Sequence, residues 1–263
     1  MNVTAKVAKY EVRDVFRSRW LIGYALFFLL VTDALLRFGG GGEKALLSLV
    51  NIVLFVTPLV TIVFATVYMY NAREFTELLL TQPIRRRQVF QGLFAGLAGP
   101  LSLVFVAGVL AATMLHAGDN PVAVGTLAAL LGAGVALTCV FTAIAFLIVA
   151  RSDDRMKGLG LAIALWLMFA VLYDGMVLLL ISIFSDYPLE KAMLGLMAAN
   201  PVDLARVALL LRFDLSALLG YTGSVMGRFF GGGAGSLIAA AALTGWAVVP
   251  LVFAFRAFER KDF

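Results

Sequence analysis

The chain contains one cysteine, Cys139, and one histidine, His116, among 263 residues. One thiol excludes an internal disulfide, and one Cys with one His cannot build a Cys/His cluster or a conventional zinc site. No metal ligand is therefore assigned. Charge is scarce too, at 14% of residues. Neither glycine cluster, Gly39–Gly42 or Gly231–Gly235, is followed by Gly-Lys-Ser/Thr. Both read as flexible turns and not as phosphate-cradling loops. The first long apolar run ends in Arg37-Phe38-Gly39-Gly40 with no small-residue cleavage site, so no removable signal peptide is expected. What is abundant is apolar surface. Hydrophobic residues make up 62% and the mean hydropathy is +0.98, more than a soluble core of this length could bury. Much of the surface must face lipid, and the net charge of +5 then bears on membrane orientation and not on a nucleic-acid partner.

Six runs reach the ~20 residues needed to cross a ~30 Å hydrocarbon layer: Trp20–Phe38, Ala45–Tyr70, Leu93–His116, Val122–Ala150, Leu159–Phe184 and Ser236–Phe258. The expected fold is all-α, a polytopic membrane protein forming one transmembrane domain over residues 1–263. Lys and Arg set its orientation. Alternate connections, counted from the N-terminus, hold 15 of the 21 basic residues and the opposite side holds 6, which places both termini in the cytoplasm. Trp20, Tyr68 and Tyr70 fall at inner span ends, as aromatic anchors do. Residues 1–19 read as an interfacial elbow helix along the inner leaflet. Ala8, Val12, Val15 and Phe16 lie on one face, and Lys6, Lys9, Arg13 and Arg17 on another.

Chemistry is sparse within the spans. Asp33 and Arg37 stand four apart near the outer end of span one, and Asp174 lies in the outer half of span five. A central charge costs about 3 kcal/mol on insertion scales, so these are either functional or, for Asp33 and Arg37, a pair reaching the headgroups. A secondary transporter would place carboxylates or broken helices at the midplane, and an intramembrane protease would need a nucleophile and base there. Neither pattern is present. Pro58, Pro100 and Pro250 shape packing, and Gly92-x-x-x-Gly96 permits close helix approach within the chain or across a dimer.

The connection 71–91 is the most informative interior segment. Glu74 and Glu77 open a short helix, where negative charge suits the dipole. Phe75, Leu78 and Leu79 supply an apolar face, and Pro83 ends the helix before Arg85-Arg86-Arg87. The residues alone fit a lipid-bound loop, its arginines on membrane phosphates, or a docking surface. The stretch Glu74 to Gly92 resembles the Glu-x-x-x-Glu-Leu-Leu-Leu-x-x-Pro-x-x-Arg segment of type-2 ABC exporter permeases. That resemblance implies a coupling helix, carried here by Glu74, Phe75, Glu77, Leu78, Leu79, Pro83 and Arg85, which engages a separate cytoplasmic ATPase subunit. The permease itself would be non-catalytic and hold no cofactor, with ATP and Mg bound by that partner.

The external stretch 185–235 carries Asn200-Pro-Val-Asp-Leu-Ala-Arg206 and Asp214-Leu-Ser-Ala-Leu-Leu-Gly-Tyr-Thr-Gly223. These resemble the branch of that family that serves nitrous oxide reductase maturation. The branch implies a homodimer in the bacterial inner membrane, a periplasmic β-helical accessory partner and a role in copper-site assembly. Within the stretch, Val202–Leu219 is long enough to span, but Asp203, Arg206, Arg212 and Asp214 should keep it from crossing. As a helix it aligns Leu204, Val207, Ala208, Leu211, Leu215 and Leu218, with Asp203, Arg206 and Asp214 opposite and Leu209, Leu210 and Phe213 off the stripe. Its cover is either the outer ends of the spans and leaflet, or the partner, which Asp203, Arg206, Leu210, Phe213 and Tyr221 would then dock. Met193, Met197 and Met226 are packing residues before they are thioether ligands. A permease for another substrate, a secondary transporter and a scaffold without an ATPase remain the competing function classes.

Overall fold

Lipid offers backbone amides no hydrogen-bond partners, so so apolar a chain must close its amide ladders within helices. The computed structural model describes residues 3–118, 122–184, 195–212 and 233–260, and within them it contains helices and no strand. In chain order these are α1 (Val3–Arg17), α2 (Arg19–Phe38), α3 (Gly42–Asn71), α4 (Arg73–Leu80), α5 (Arg86–Leu115), α6 (Val124–Arg151) and α7 (Arg155–Leu167). A π-helical turn, Met168–Leu172, joins α7 to α8 (Tyr173–Ile183), and α9 (Pro201–Arg212) and α10 (Gly233–Arg260) follow. Six stretches are long and apolar enough to cross: α2, α3, α5, α6, α7 through α8, and α10. The third begins at Arg86, seven residues before the expected Leu93, because its first turns carry Arg86, Arg87, Gln88 and Gln91 where an apolar window sees no span.

Span four is the axle of the bundle. Of its apolar window 67% is buried, and it packs on α3, α5, α9 and α10. Phe141 and Phe146 are fully enclosed there. Thr138 and Thr142 hide their hydroxyls by donating to the Gly134 and Thr138 carbonyls, at 2.9 and 2.7 Å, the partner that an apolar surrounding leaves them. Span five is the opposite case, with 6% of its window buried. Pro58 removes one amide from the α3 ladder, and the Trp166 indole N–H donates to the nearby Phe55 carbonyl at 3.1 Å, tying span five to span two. The turn between α2 and α3 needs glycine, because Gly40 and Gly41 adopt φ of 77° and 125°.

With six spans, both termini fall at one end of the bundle, called here the terminal end; α1 and α4 gather there. Helix α1 packs lengthwise on α5, burying Val7, Glu11 and Val15 and leaving Phe16 and Tyr10 exposed. Gly92 and Gly96 make this possible: a Cβ on Gly92 would lie 2.7 Å from Val7, and one on Gly96 would clash with Glu11. The close approach is thus made within the chain. The hydroxyls of Tyr68 and Tyr70 tie separate elements together. Tyr68 donates to Glu11 and, at 3.0 Å, to Asp14, while Tyr70 donates to the Ser152 carbonyl at 2.9 Å. Trp20 is 78% exposed. At the far end Asp33 pairs with Arg37 at 2.9 Å, and His116 adds its Nε2 at 3.6 Å.

Helix α9 departs from expectation. It crosses nothing, as expected, but it does not lie across the outer ends of the spans either. Its Asn200 start sits beside Phe169, fourteen residues from either end of span five, and α9 is wrapped by α3, α6 and α10. The start of α9 thus lies level with the middle of span five. Val202, Asp203, Leu204, Ala205, Val207 and Leu209 are all buried, so the two-faced reading with Asp203 opposite the stripe and Leu209 off it fails. An element enclosed by three helices has no solvent face to keep polar.

Candidate functional site

Two constructions stand out, one at each half of the bundle. At the terminal end, α4 presents a stripe spaced i, i+4, i+7. Glu74, Leu78 (66% exposed) and Thr81 point away from the protein, and Pro83, Arg85 and Arg87 extend the exposed surface. The inward side is fixed three ways. Thr76 is buried and donates to the Ala72 carbonyl at 2.8 Å, and Leu79, Leu80 and Ile84 pack on the core. Phe75 stacks on Tyr10 of α1, ring centroids 4.8 Å apart. Arg73 bridges Glu77 at 3.0 Å and Asp153 of the next same-side loop at 3.2 Å. The expected apolar face is therefore divided: Phe75 and Leu79 hold α4 in place, and Leu78 is the apolar group it displays. Helix α4 ends at Leu80, and Arg85 is the N-cap residue of α5. Tyr10 and Asp153 carried no signal in the sequence, and Tyr68 read only as an aromatic anchor, because their partners lie on other elements.

The Asp153 loop is itself fixed. Asp154 caps α7, accepting from the Met156 and Lys157 amides at 2.9 and 3.3 Å, and chiefly these backbone hydrogen bonds, that from Lys157 foremost, hold its carboxyl below the usual carboxylate range. At α1, burial pushes the Glu11 carboxyl above that range, and the Tyr68 hydroxyl only partly offsets it.

The second construction surrounds the start of α9. Asn200 is fully enclosed. Its Oδ1 accepts the Val202 amide at 2.9 Å, capping α9, and its Nδ2 donates to the Phe169 carbonyl and to Asp203, each at 2.9 Å. The π-helical turn shifts the span-five ladder at Phe169, where Asn200 meets it. Arg206 then bridges Asp203 at 3.0 Å and Asp174 at 2.7 Å, and Tyr173 donates to the Leu196 carbonyl at 2.5 Å. Trp246 of span six donates to the Ala198 carbonyl at 2.8 Å. Asp174 is thus neither free nor paired with a neighbour on its own helix: it fastens span five to α9. Of the residues expected at an external surface, Asp203 and Arg206 face this inner network and Leu210 is half-buried, while Phe213 and Tyr221 lie outside the described residues, with Met193 and Met226.

An all-α six-span bundle, with a helix displayed between spans two and three and an enclosed helix before span six, defines a polytopic membrane protein. The chain belongs to the ABC-2 family of transporter proteins, whose family model matches residues 42–263. It is 29% identical over 234 residues to the probable ABC transporter permease protein NosY of Pseudomonas aeruginosa, covering 82% of this chain and 85% of that one. It is 28% identical over 284 residues to the protein of the same description in Stutzerimonas stutzeri, covering 99% of both. It is a NosY-like ABC-2 permease, a multi-pass protein of the inner membrane and the transmembrane subunit of an ABC transporter, a class whose ATPase is a separate subunit.

Proposed function

We propose that this permease couples ATP hydrolysis by a cytoplasmic ATPase partner, which alone binds ATP and Mg, to export or to mechanical work on a periplasmic accessory protein, in the maturation of the copper site of nitrous oxide reductase. The observation that carries the reading is the exposed Glu74–Leu78 stripe of α4, backed by Phe75 on Tyr10 and by the Arg73 bridge to Glu77 and Asp153. A displayed helix anchored to the elbow, to span three and to the neighbouring loop passes a push from a docked subunit into several spans at once. The two relatives described as NosY support the assignment to nitrous oxide reductase. The 15-to-6 split of basic residues supports cytoplasmic termini. Span five, 6% buried along its apolar window, supports a homodimer closed across it.

The test is purification of the tagged permease with its partners, as wild type and as the double variant Glu74→Lys with Leu78→Asp. Both substitutions fall on exposed positions, so the variant should insert and purify in normal yield. It should lose the ATPase chain or the coupling of ATP hydrolysis to function. Full assembly with wild-type activity would remove α4 as the coupling element.

A further inference from the structure

The terminal end carries a second basic feature, distinct from α4. Between the ends of α6 and α10 lies an open groove of about 410 Å³ lined by Arg151, Phe253, Arg256, Ala257 and Arg260. Arg151 is the last residue of α6, and the other four, spaced i, i+3, i+4, i+7, share one face of α10. All three arginines are exposed, and among the described residues none makes an ion pair. Among the described residues the nearby carboxylates are committed or turned away. Asp153 pairs with Arg73 at 3.2 Å and Asp154 with Lys157 at 3.6 Å, and Glu259 lies about a third of a turn off the groove face. The end of α10 is fixed where its Glu259 carbonyl accepts from Arg86 at 2.8 Å. Toward the membrane interior the same face continues in Phe253 and Val249, 46% and 55% exposed.

Three guanidinium groups with no ion pair among the described residues, at a span end above an apolar track, match a ligand with an anionic phosphate and a hydrocarbon tail. Basic pockets between transmembrane helices take such headgroups, whereas an ammonium beside the phosphate is repelled. We propose that this groove is an anionic-phospholipid site, the phosphate held by Arg151, Arg256 and Arg260 and an acyl chain laid along Phe253 and Val249.

The purified permease is titrated with phosphatidylglycerol, cardiolipin and phosphatidylethanolamine and bound lipid is counted by native mass spectrometry. Wild type should favour the anionic lipids about tenfold or more. The triple variant Arg151→Gln, Arg256→Gln, Arg260→Gln should lose that preference, and Arg85→Gln with Arg87→Gln should keep it. Millimolar inorganic phosphate should not displace the lipid. A second measurement avoids the triple variant: Phe253→Trp should be quenched by brominated phosphatidylglycerol more than by brominated phosphatidylethanolamine. Unchanged preference in the triple variant, equal quenching by both lipids, or displacement by free phosphate would each overturn the site, as would a triple variant that loses dimer and leaves lipid binding intact.

Discussion

Glu11 is a carboxyl at the centre of a packed helix face, 1% exposed, with Tyr68 donating to one oxygen and the other without a partner among the described residues. Burial raises its pKa from an ordinary value of 4.5, so the docked α1 favours the protonated form. The sign follows directly: a carboxyl raised on folding stabilises less as pH rises past its unfolded value. Thermal unfolding of the purified permease should therefore show stability falling as pH rises above about 4.5, and Glu11→Gln, which keeps an oxygen for the Tyr68 hydroxyl, should flatten that fall. Tyr68→Phe removes the donor instead and should cost about 1–3 kcal/mol near neutral pH. A wild-type curve that is level over the range would show that the Glu11 charge is not linked to docking. Gly96 is equally constrained, and Gly96→Leu, forced against Glu11, should lift α1 and lower the melting temperature.

At the scale of the element, α9 depends on two side chains. Asn200→Ala deletes the cap on Val202 and the bonds to Phe169 and Asp203 together, and should cost about 2 kcal/mol. Arg206→Leu strands Asp174 and Asp203 without their cation and should cost more, about 3–5 kcal/mol. Limited proteolysis, with cleavage of the 195–212 segment accelerating in that order, measures both. The reversed order would mean that the cap and not the charge network fixes α9. The six spans were legible because apolar runs of about 20 residues have few other readings. The short α4 was legible too, from Glu74 at its start and Pro83 beyond its end. The enclosed placement of α9 was not. The charges of Val202–Leu219 argue against crossing, but the Arg206 charge, neutralised by Asp174 thirty-two residues earlier, leaves no periodic trace. The Phe75–Tyr10 stack and the Arg73–Asp153 bridge escaped for the same reason, since each joins elements whose meeting is decided by tertiary packing.

For the whole molecule, span five is the exposed flank. Leu172 is 59% exposed on it, so in a chain with Cys139→Ser, Leu172→Cys should give oxidised dimers in membranes if two copies meet there, and monomers if lipid covers that flank. A reporter active only in the cytoplasm, fused after Phe263, should work, and one inserted in residues 185–235 should fail; the reverse would invert the bundle. The π-helical turn Met168–Leu172 sits within the same span. Such a turn holds one residue more than the α-helix around it. Deleting a residue from the regular α7 ahead of that turn, by contrast, would rotate everything beyond it by about 100°, carrying Tyr173 and Asp174 away from Leu196 and Arg206. Span five therefore carries something like a reading frame. Its side chains on the outer flank are open to substitution, whereas a change of one residue in its length would uncouple its two halves.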